Sequence, residues 1–412
     1  MRVVHLTGKD YFGAGRAAYR LHKGLQRAGV DSLMLVGDKH SDDPSVINVQ
    51  SGFFNKIRKK ILIKLEKRFI KRGCNNLNGM LSTGIHGFSI AKTVNSYHPD
   101  IIHLHWINRG YMKLSDILKF EAPVVVTMHD VWYFTGICHY AKNCQSYTRE
   151  CGNCVQIGSK DPTDVCTYIQ TLKQEIYKKK AIDFIAPSRW MQTEALQSHL
   201  LKNQKVHHLS NGIDISVFSY NKSARRRLGL PMEKNLVLFA AVDATSDENK
   251  GFDLLSQAID QLDENRFELI VIGGSKEDQF PGKTINIHNI GYVGDDALLI
   301  DYLSAADVIV VPSKQENLSN LIMEGLSCSK PVVAFGIGGN GDMIRHKENG
   351  YLAVPFDTKD LAKGIEWSVE SEERTIRLSQ NARQQVELNF RIGDVSKRHI
   401  ECYSRIIEEQ ND

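Results

Sequence analysis

The sequence predicts an α/β protein made of two doubly wound domains, and three observations support this prediction. The chain has 412 residues, which is too long for one ordinary hydrophobic core. Short apolar runs typical of buried parallel strands alternate with helical patterns in both halves of the chain. With 42% hydrophobic and 24% charged residues, the composition is typical of a globular protein.

Four apolar runs in each half have the length of buried strands. In the first half they are Val3 to Leu6, Ile101 to Leu104, Val124 to Met128 and Phe184 to Ala186. In the second half they are Leu236 to Val242, Leu269 to Ile272, Val308 to Val311 and Val332 to Phe335. Two Rossmann-like domains are the simplest account of this repeated plan.

Charge and hydropathy exclude several classes of partner. The formal net charge of +4 is small for this length, so we do not expect a nucleic-acid partner. No stretch has the 18 or more apolar residues of a membrane span. The segment Met1 to Gly8 turns polar too quickly for a signal peptide, so we expect a cytoplasmic protein.

The most informative motif is a pair of glutamates separated by seven residues, Glu316 and Glu324. The pattern predicts a loop carrying Glu316 and then a helix from about Asn317 to Cys328. Such a loop lies at the carboxyl end of a strand, where ligands bind. The backbone N–H groups of Asn317, Leu318 and Ser319 would attract phosphate. The alternative is an ordinary solvated helix with a favourable N-terminal glutamate.

This motif resembles the E-x7-E signature of retaining, nucleotide-sugar-dependent glycosyltransferases of family 4, and the resemblance extends from the first strand to about Phe390. It implies the GT-B fold, with an interdomain cleft and a C-terminal helix that crosses back to the N-terminal domain. The implied divisions are an acceptor domain at 1–218 with a cysteine-rich insertion at 136–156, a donor domain at 219–390 and the crossing helix at 391–412.

The implied activity is transfer of a sugar from a UDP- or GDP-linked donor to a saccharide or lipid-linked acceptor, with retention of configuration. The resemblance is to bacterial enzymes of capsule and exopolysaccharide synthesis. Alternatives are a GT-B epimerase acting on nucleotide-linked sugars and a non-catalytic module that binds sugar nucleotides. No Asp-x-Asp run follows a predicted strand, so we expect no cofactor for catalysis.

The resemblance assigns roles to individual residues. Lys250 matches the family's Lys-Gly and would neutralise the leaving diphosphate, unless it is a solvated lysine at a helix start. An arginine that the family places about six residues earlier is replaced here by Ala244. Glu316 would accept sugar hydroxyl groups, and Glu324 would reach a ribose.

Three further positions could contact the donor. Gly13 and Gly15 lie in the predicted loop after the first strand, where absent side chains let a ligand approach the backbone, although a plain turn also uses glycine. Tyr292 could stack on the nucleotide base or simply pack. The run Gly336 to Asn340 predicts a turn after a strand.

Histidines follow two of the predicted strands. His129 comes after the strand at Val124 to Met128, and in the family a histidine here contacts the transferred sugar; the alternative is a structural histidine at the sheet edge. His103 and His105 point to the same side of their strand, so at least one of them is expected to be structural.

Four closely spaced cysteines, Cys138, Cys144, Cys151 and Cys154, leave three interpretations open. Cys151-x2-Cys154 suits a structural zinc site, whereas reduced packing thiols or disulfides are the alternatives. A cysteine-rich insertion after Thr-x-His-Asp-x-Trp resembles a subset of the bacterial enzymes of this family.

A basic segment, 55–73, predicts an amphipathic helix with Ile57, Ile61, Leu65 and Phe69 four residues apart. Such a helix could lie peripherally on the anionic inner face of the cytoplasmic membrane, which would suit a lipid-linked acceptor. Equally, it could pack on the N-terminal domain with a solvated charged face.

Overall fold

The computed structural model of the chain describes residues 1–72, 74, 79–274 and 285–411. The chain divides into two compact units. The first unit comprises Met1–Gly212 with Gly393–Asp412, and the second unit comprises Ile213–Ile392.

The first unit contains a seven-stranded sheet in which all neighbouring strands are parallel. The strands of this unit are β1 (Arg2–Thr7), β2 (Asp31–Val36), β3 (Val46–Asn48), β4 (Gly87–Phe88), β5 (Ile101–Leu104), β6 (Gly110–Met112), β7 (Val124–Thr127), β8 (Ile182–Ala186) and β9 (Lys205–His208). Their order in the sheet is β3-β2-β1-β5-β7-β8-β9, and β4 pairs with β6 separately. The order reverses direction between β1 and β5, as expected of a doubly wound sheet.

Helices connect these strands. They are α1 (Phe12–Arg27), α2 (Phe53–Lys71), α3 (Ala91–Asn95), α4 (Val165–Lys179) and α5 (Arg189–Gln197). Short 3-10 helices cover Leu114–Lys119, Val131–Phe134, Ser146–Thr148 and Val155–Ile157. Alternate residues of the central strands enter different cores, because successive side chains of a strand point to opposite faces. Val124 and Val126 join one core and Val125 the other.

The second unit repeats the architecture with a six-stranded parallel sheet. Its strands are β10 (Asn235–Ala240), β11 (Phe267–Ile272), β12 (Asn286–Gly291), β13 (Val308–Val311), β14 (Val332–Phe335) and β15 (Gly350–Ala353), in the order β12-β11-β10-β13-β14-β15. Its helices are α6 (Ala224–Arg227), α7 (Phe252–Ile259), α8 (Asp296–Ala305), α9 (Asn320–Ser327), α10 (Asn340–Met343), α11 (Thr358–Ser368) and α12 (Glu372–Asn389), with a 3-10 helix at Glu248–Lys250. Apolar cores lie on both faces of this sheet. The predicted α/β fold of two doubly wound sheets is confirmed.

The last helix, α13 (Ile392–Asn411), packs on the sheet of the first unit. Its buried side chains include Val395, Cys402, Tyr403 and Ile406, and they share a core with Val3, Leu21, Ile101, Val125 and Ile185. The Tyr403 hydroxyl also lies 2.7 Å from His103 Nδ1.

The units divide at Ile213, a few residues before the predicted boundary at 218. The N–H of Ile213 donates to the carbonyl of Phe390 (2.8 Å), and Ile392 donates back to the carbonyl of Ile213 (2.9 Å). Ile213 is fully buried in the same core as Phe218. These contacts tie the segment to the second unit.

In the described ranges no helix is both long enough and apolar enough to cross a membrane.

Candidate active site

A charged pair forms the centre of the candidate site in the second unit. Lys250 Nζ lies 3.1 Å from Glu316 Oε2, and the Ser313 hydroxyl donates to the same oxygen at 3.2 Å. The side chains of Lys250 and Glu316 are 30% and 16% exposed. The structure therefore brings together two residues that the sequence singled out 66 positions apart.

The loops that carry this pair are joined through their backbones. Asn249 donates from its side chain to the Gln315 carbonyl (2.9 Å), and its own carbonyl accepts from Lys314 N–H (2.8 Å). Gly251 has a left-handed φ of +69°, and a Cβ added there would lie 2.0 Å from the Pro312 carbonyl oxygen. The glycine of the Lys-Gly pair therefore permits the close approach that positions Lys250.

A second glycine turn supports Glu316 from the other side, and sequence reasoning did not find this role. Gly338 has a φ of +51°, and a Cβ added there would lie 1.8 Å from the Glu316 carbonyl oxygen. The neighbouring Gly339 N–H donates to that oxygen at 3.3 Å. The glycine-rich run Gly336 to Asn340 was the available signal, but its contact with Glu316 depends on tertiary structure.

The helix after Glu316 begins later than predicted. It begins at Asn320, preceded by Ser319 in an extended conformation, and the prediction of a start at Asn317 was wrong. Leu318 is buried in the apolar core, which holds this segment as a loop. The first intrahelical bond is donated by Met323 to the Ser319 carbonyl (3.2 Å). The helix-start N–H groups therefore belong to residues 320–322.

Within this helix, α9, the second glutamate of the motif is the fifth residue. Glu324 is 4% exposed, and Asn317 and Ser319 are 8% and 7% exposed. A buried carboxylate on a helix close to its N-terminus is stabilised by the helix dipole.

Tyr292, which follows β12, is 54% exposed. Its neighbour Gly291 has a φ of +74° and no heavy atom within 4 Å of an added Cβ.

The position where the family carries an arginine is apolar in the structure. Ala244 is fully buried, and its Cβ would lie 3.2 Å from a Cβ added at Gly273. Lys314, in the loop that carries Glu316, forms an ion pair with Asp253 at 2.9 Å. A cationic side chain at position 244 would therefore start from a fully buried Cα–Cβ position.

The glycines predicted in the loop after β1 lie instead in the first turn of α1, so their assignment to a loop was wrong. A Cβ added at Gly15 would lie 2.3 Å from the Lys9 carbonyl oxygen. This close approach gives Gly15 a structural role. A Cβ added at Gly13 has nothing within 4 Å, so packing within the chain does not require that glycine.

His129 follows β7 in the first unit and is partly buried. Its Nε2 lies 3.0 Å from Nδ1 of His105. Burial lowers the pKa of His129 to about 4, although the neighbouring Asp130 acts in the opposite direction. The ring is therefore neutral at physiological pH.

Asp130 organises the segment after His129. Its carboxylate accepts from Trp132 N–H (2.9 Å) and Trp106 Nε1 (3.0 Å) and lies 2.7 Å from His139 Nδ1. Burial would raise the pKa of Asp130, but His139 and these hydrogen bonds bring it below its ordinary value.

The two histidines of the neighbouring strand have different partners. His103 lies 2.7 Å from both the Tyr403 hydroxyl and the Thr127 hydroxyl, which makes it a link between the sheet and α13. His105, in contrast, lies between His5 and His129.

The predicted cysteines converge, and a fifth cysteine joins them. A small cavity is lined by Cys138, Cys144, Cys151, Cys154 and Cys166, all as free thiols. The Cys154 sulfur accepts from the thiols of Cys138 and Cys166 and from two backbone N–H groups, which lowers its pKa to about 3. No three of these sulfurs, all in the described part of the chain, lie within 4.8 Å of one another.

The basic helix α2 covers Phe53–Lys71, and Gly73 lies outside the described residues. It packs on the first unit through Leu62, Glu66 and Ile70. The Glu66 carboxylate accepts from Thr83 N–H at 2.8 Å. An exposed apolar stripe remains on this helix, with exposures of 72%, 84%, 41%, 52% and 45% at Phe53, Phe54, Ile57, Ile61 and Leu65.

Comparison with known proteins identifies the family. The chain matches glycosyltransferase family 4 over residues 12–217, half of its length, and glycosyl transferases group 1 over residues 221–385. A D-inositol 3-phosphate glycosyltransferase of Xylanimonas cellulosilytica is 25% identical over 93% of this chain and 91% of its own length. WcaC of Escherichia coli, a glycosyl transferase named for colanic acid biosynthesis, is 23% identical over 57% of this chain and 60% of its own.

The fold is shared with solved glycosyltransferases. Anabaena Alr3699/HepE, solved in complex with UDP-glucose, superposes with a TM-score of 0.65 at 16% identity, covering 98% of this chain and 100% of that chain. The chain belongs to glycosyltransferase family 4, and it is a transferase with the GT-B fold.

Proposed function

We propose that this enzyme transfers a sugar, with retention of configuration, from a nucleotide-sugar donor to a saccharide or lipid-linked acceptor in bacterial surface polysaccharide synthesis. The observation that carries the proposal is the Lys250–Glu316 pair, held on loops whose backbones are in contact. Two similarities support it: one relative is named for colanic acid biosynthesis, and one structural neighbour was solved with UDP-glucose.

The donor diphosphate would lie against Lys250 and the start of α9. The lysine ammonium and the helix-start N–H groups would stabilise the charge that develops as the diphosphate leaves. Glu316 would accept hydroxyl groups of the sugar and Glu324 those of the ribose. Tyr292 would stack on the base, and His129 would contact the transferred sugar, a role that rests on the family resemblance.

Retention follows if the acceptor attacks from the face that the diphosphate leaves. The bond between the anomeric carbon and the diphosphate oxygen breaks, and a bond forms from that carbon to the acceptor hydroxyl oxygen. The hydroxyl proton passes to the departing diphosphate oxygen, so no protein nucleophile or base is required. Lys250 acts only as a charge, a task that suits an ammonium group.

The decisive experiment measures release of nucleoside diphosphate from a panel of UDP- and GDP-sugars with and without saccharide or lipid-linked acceptors. We expect release that depends on acceptor, with an α-configured donor giving an α-linked product. Conversion of the donor sugar without acceptor would instead identify an epimerase. A donor that raises the melting temperature by mass action, with no product under any condition, would identify a binding module.

We also propose that the enzyme reaches a lipid-linked acceptor at the inner face of the cytoplasmic membrane through α2. The exposed stripe from Phe53 to Leu65 is flanked by exposed lysines at positions 56, 60, 64 and 67. Apolar side chains beside a basic surface are typical of helices that bind anionic bilayers. The opposite face of α2 packs on the first unit, so the exposed stripe is available to contact a membrane surface.

The membrane proposal is tested with vesicles of anionic and zwitterionic lipid. Each lysine near an anionic surface contributes about 1 kcal/mol, so changing the four lysines to glutamate should weaken binding to anionic vesicles by at least about a hundredfold. Replacing Ile57 and Ile61 by serine should also weaken it. Leu388→Ser, which alters a leucine 69% exposed in the second unit, is the matched control. Unchanged binding of the glutamate variant would reject the proposal.

We further propose that Cys138, Cys144, Cys151 and Cys154 hold a structural zinc ion. All four thiols line one cavity, and four cysteine thiolates are one of the usual ligand sets of structural zinc. The sulfurs would have to draw together, because Zn–S bonds are about 2.3 Å long. Less than about 0.2 zinc per purified chain would reject the proposal. If Cys144→Ser retained zinc and Cys166→Ser lost it, Cys166 would take the place of Cys144 as the fourth ligand.

A further inference from the structure

Three imidazoles on neighbouring strands form a row in the first unit. His5 Nδ1 lies 3.0 Å from His105 Nε2, and His105 Nδ1 lies 3.0 Å from His129 Nε2. His5 and His105 are 0% and 1% exposed. We call these three residues the imidazole row; it connects the sheet interior to His129.

The sheet explains why the row forms. Strands β1, β5 and β7 are adjacent and parallel, and His5 pairs in register with His103 of β5. His105 lies just beyond β5, where its N–H donates to the Leu6 carbonyl (2.9 Å), and His129 lies just beyond β7. His105 and His129 therefore lie at the carboxyl edge of the sheet, where ligands bind in doubly wound folds, whereas His5 lies within β1.

If the three imidazoles are neutral, both hydrogen bonds of the row must run in the same direction. Each neutral ring has one N–H and one acceptor nitrogen, so reversing one bond reverses the other. Among the described residues, the buried Nε2 of His5 has no hydrogen-bond partner. A buried N–H without a partner is rarer than a buried acceptor without one. The favoured order is therefore His5 Nδ1–H to His105 Nε2, and His105 Nδ1–H to His129 Nε2.

A metal ion is the alternative use of these histidines. Ring nitrogens of His5, His103 and His105 lie within 4.8 Å of one another. Both nitrogens of His103 are already 2.7 Å from hydroxyl groups, and both nitrogens of His105 face other imidazoles. A metal would have to replace these contacts, so the hydrogen-bonded row is the better account.

We propose that His105, supported by His5, is a positioning residue that fixes His129 in one orientation and in the Nδ1–H tautomer. This proposal rests on the proposed function, because it gives His129 a defined task at the sugar. With Nε2 occupied by His105, His129 can offer only a donor at Nδ1. In this tautomer His129 would donate to an oxygen of the transferred sugar and would not remove the acceptor proton, as the proposed transfer of that proton to the leaving diphosphate requires.

The test compares two amides at position 105. In His105→Asn the amide nitrogen can take the place of Nδ1 and still donate to His129, whereas in His105→Gln it reaches the place of Nε2 and faces His5. We expect His105→Asn to stay within about threefold of the unaltered enzyme. We expect His105→Gln to lose at least about tenfold in kcat, the lower end of the losses seen when a group that orients a metal-ligating histidine is changed. His103→Asn, at an equally buried histidine two residues before His105, controls for lost stability, and thermal unfolding verifies folding of all three.

A spectroscopic measurement separates this proposal from the proposed function. Nitrogen NMR of histidine-labelled protein, assigned with His129→Gln, reports the tautomer of His129 without substrate. We expect a protonated Nδ1 in the unaltered protein and in His105→Asn, and a mixture of tautomers in His105→Gln. A protonated Nε2 in the unaltered protein, or equal kcat for the two amide variants, would overturn the proposal. So would metal that copurifies with the unaltered protein and is lost in His5→Leu.

Discussion

In the second unit the candidate residues are charged and stand on loops whose backbones touch, whereas in the first unit His129 is held by buried neutral imidazoles. Gly251 and Gly338 permit the close contacts around Lys250 and Glu316. Only two of the 15 histidines, His288 and His346, lie in the second unit. Under the proposed function, the second unit would therefore manage the charge of the diphosphate, and the first unit would orient the uncharged sugar.

The largest effect should come from separating the members of the charged pair. Lys250→Met should reduce transfer by about a hundredfold or more and weaken binding of free nucleoside diphosphate, because it removes the charge that stabilises the leaving group. Glu316→Gln should reduce transfer by at least about tenfold. It should leave diphosphate affinity equal or higher, because it removes a competing anion 3.1 Å from Lys250. Kinetics and calorimetric titration with the diphosphate measure both quantities.

A nearby lysine provides the control for this pair. Lys314 lies two residues from Glu316 and forms an ion pair with Asp253. Lys314→Met therefore removes a positive charge from this loop and leaves the Lys250 charge that is proposed to stabilise the diphosphate. We expect transfer within about threefold of normal, as for exposed ion pairs of small net energy. Equal losses of diphosphate affinity in Lys250→Met and Glu316→Gln would contradict the division of roles.

Acid should unfold the first unit before the second. Burial lowers the pKa of His22 and of His399 to about 4. The unfolded chain binds protons at these histidines below about pH 6.5, while the folded chain does so only near pH 4, so the free energy of unfolding decreases as the pH falls through this window. At pH 5 the loss is about 2 kcal/mol for each of the two histidines.

Tryptophan fluorescence can assign this acid sensitivity to a unit. Trp367 is the only one of the four tryptophans in the second unit, so Trp367→Phe leaves a signal from the first unit alone. Urea unfolding of this variant between pH 7.5 and pH 5 should shift strongly to lower urea. A transition that stays constant over this range would contradict neutral burial of His22 and His399.

Local pattern predicted eight of the strands, because a strand covered on both faces reads as a continuous apolar run. The bounds of β5, β13 and β14 agree with the predicted ones. Strands β2, β3, β4, β6 and β15 were not predicted, although β2 and β15 are largely buried. The edge strands β9 and β12 were not predicted either. They are polar and half exposed, so their sequences lack that signal.

The candidate site was predictable in its residue types but not in its supports. The motif suggested Glu316 and the Lys-Gly pair suggested Lys250, yet neither pattern shows that Gly338 contacts the Glu316 carbonyl. The start of α9 was also misplaced, because burial of Leu318 in the core overrides the local helical pattern. The order of the imidazole row could not be predicted, since it depends on distances between three separate strands.

The smallest effect tests whether the first unit also approaches the donor through its backbone. Gly13 and Gly15 share the first turn of α1, but only Gly15 has a neighbour that an added Cβ would strike. Gly13→Ala should therefore stabilise the protein by about 0.5–1 kcal/mol, because alanine favours a helix over glycine. Gly15→Ala, the matched control, should destabilise it by about 1–3 kcal/mol through overpacking.

If a donor approaches the helix start at Gly13, the stabilised Gly13→Ala variant should still show a KM for the donor raised about two- to fivefold, with kcat little changed. The reason is that an added methyl group removes a modest part of the binding energy. A stabilised variant with an unchanged KM would remove Gly13 from the donor site and leave the handling of the diphosphate to the second unit alone.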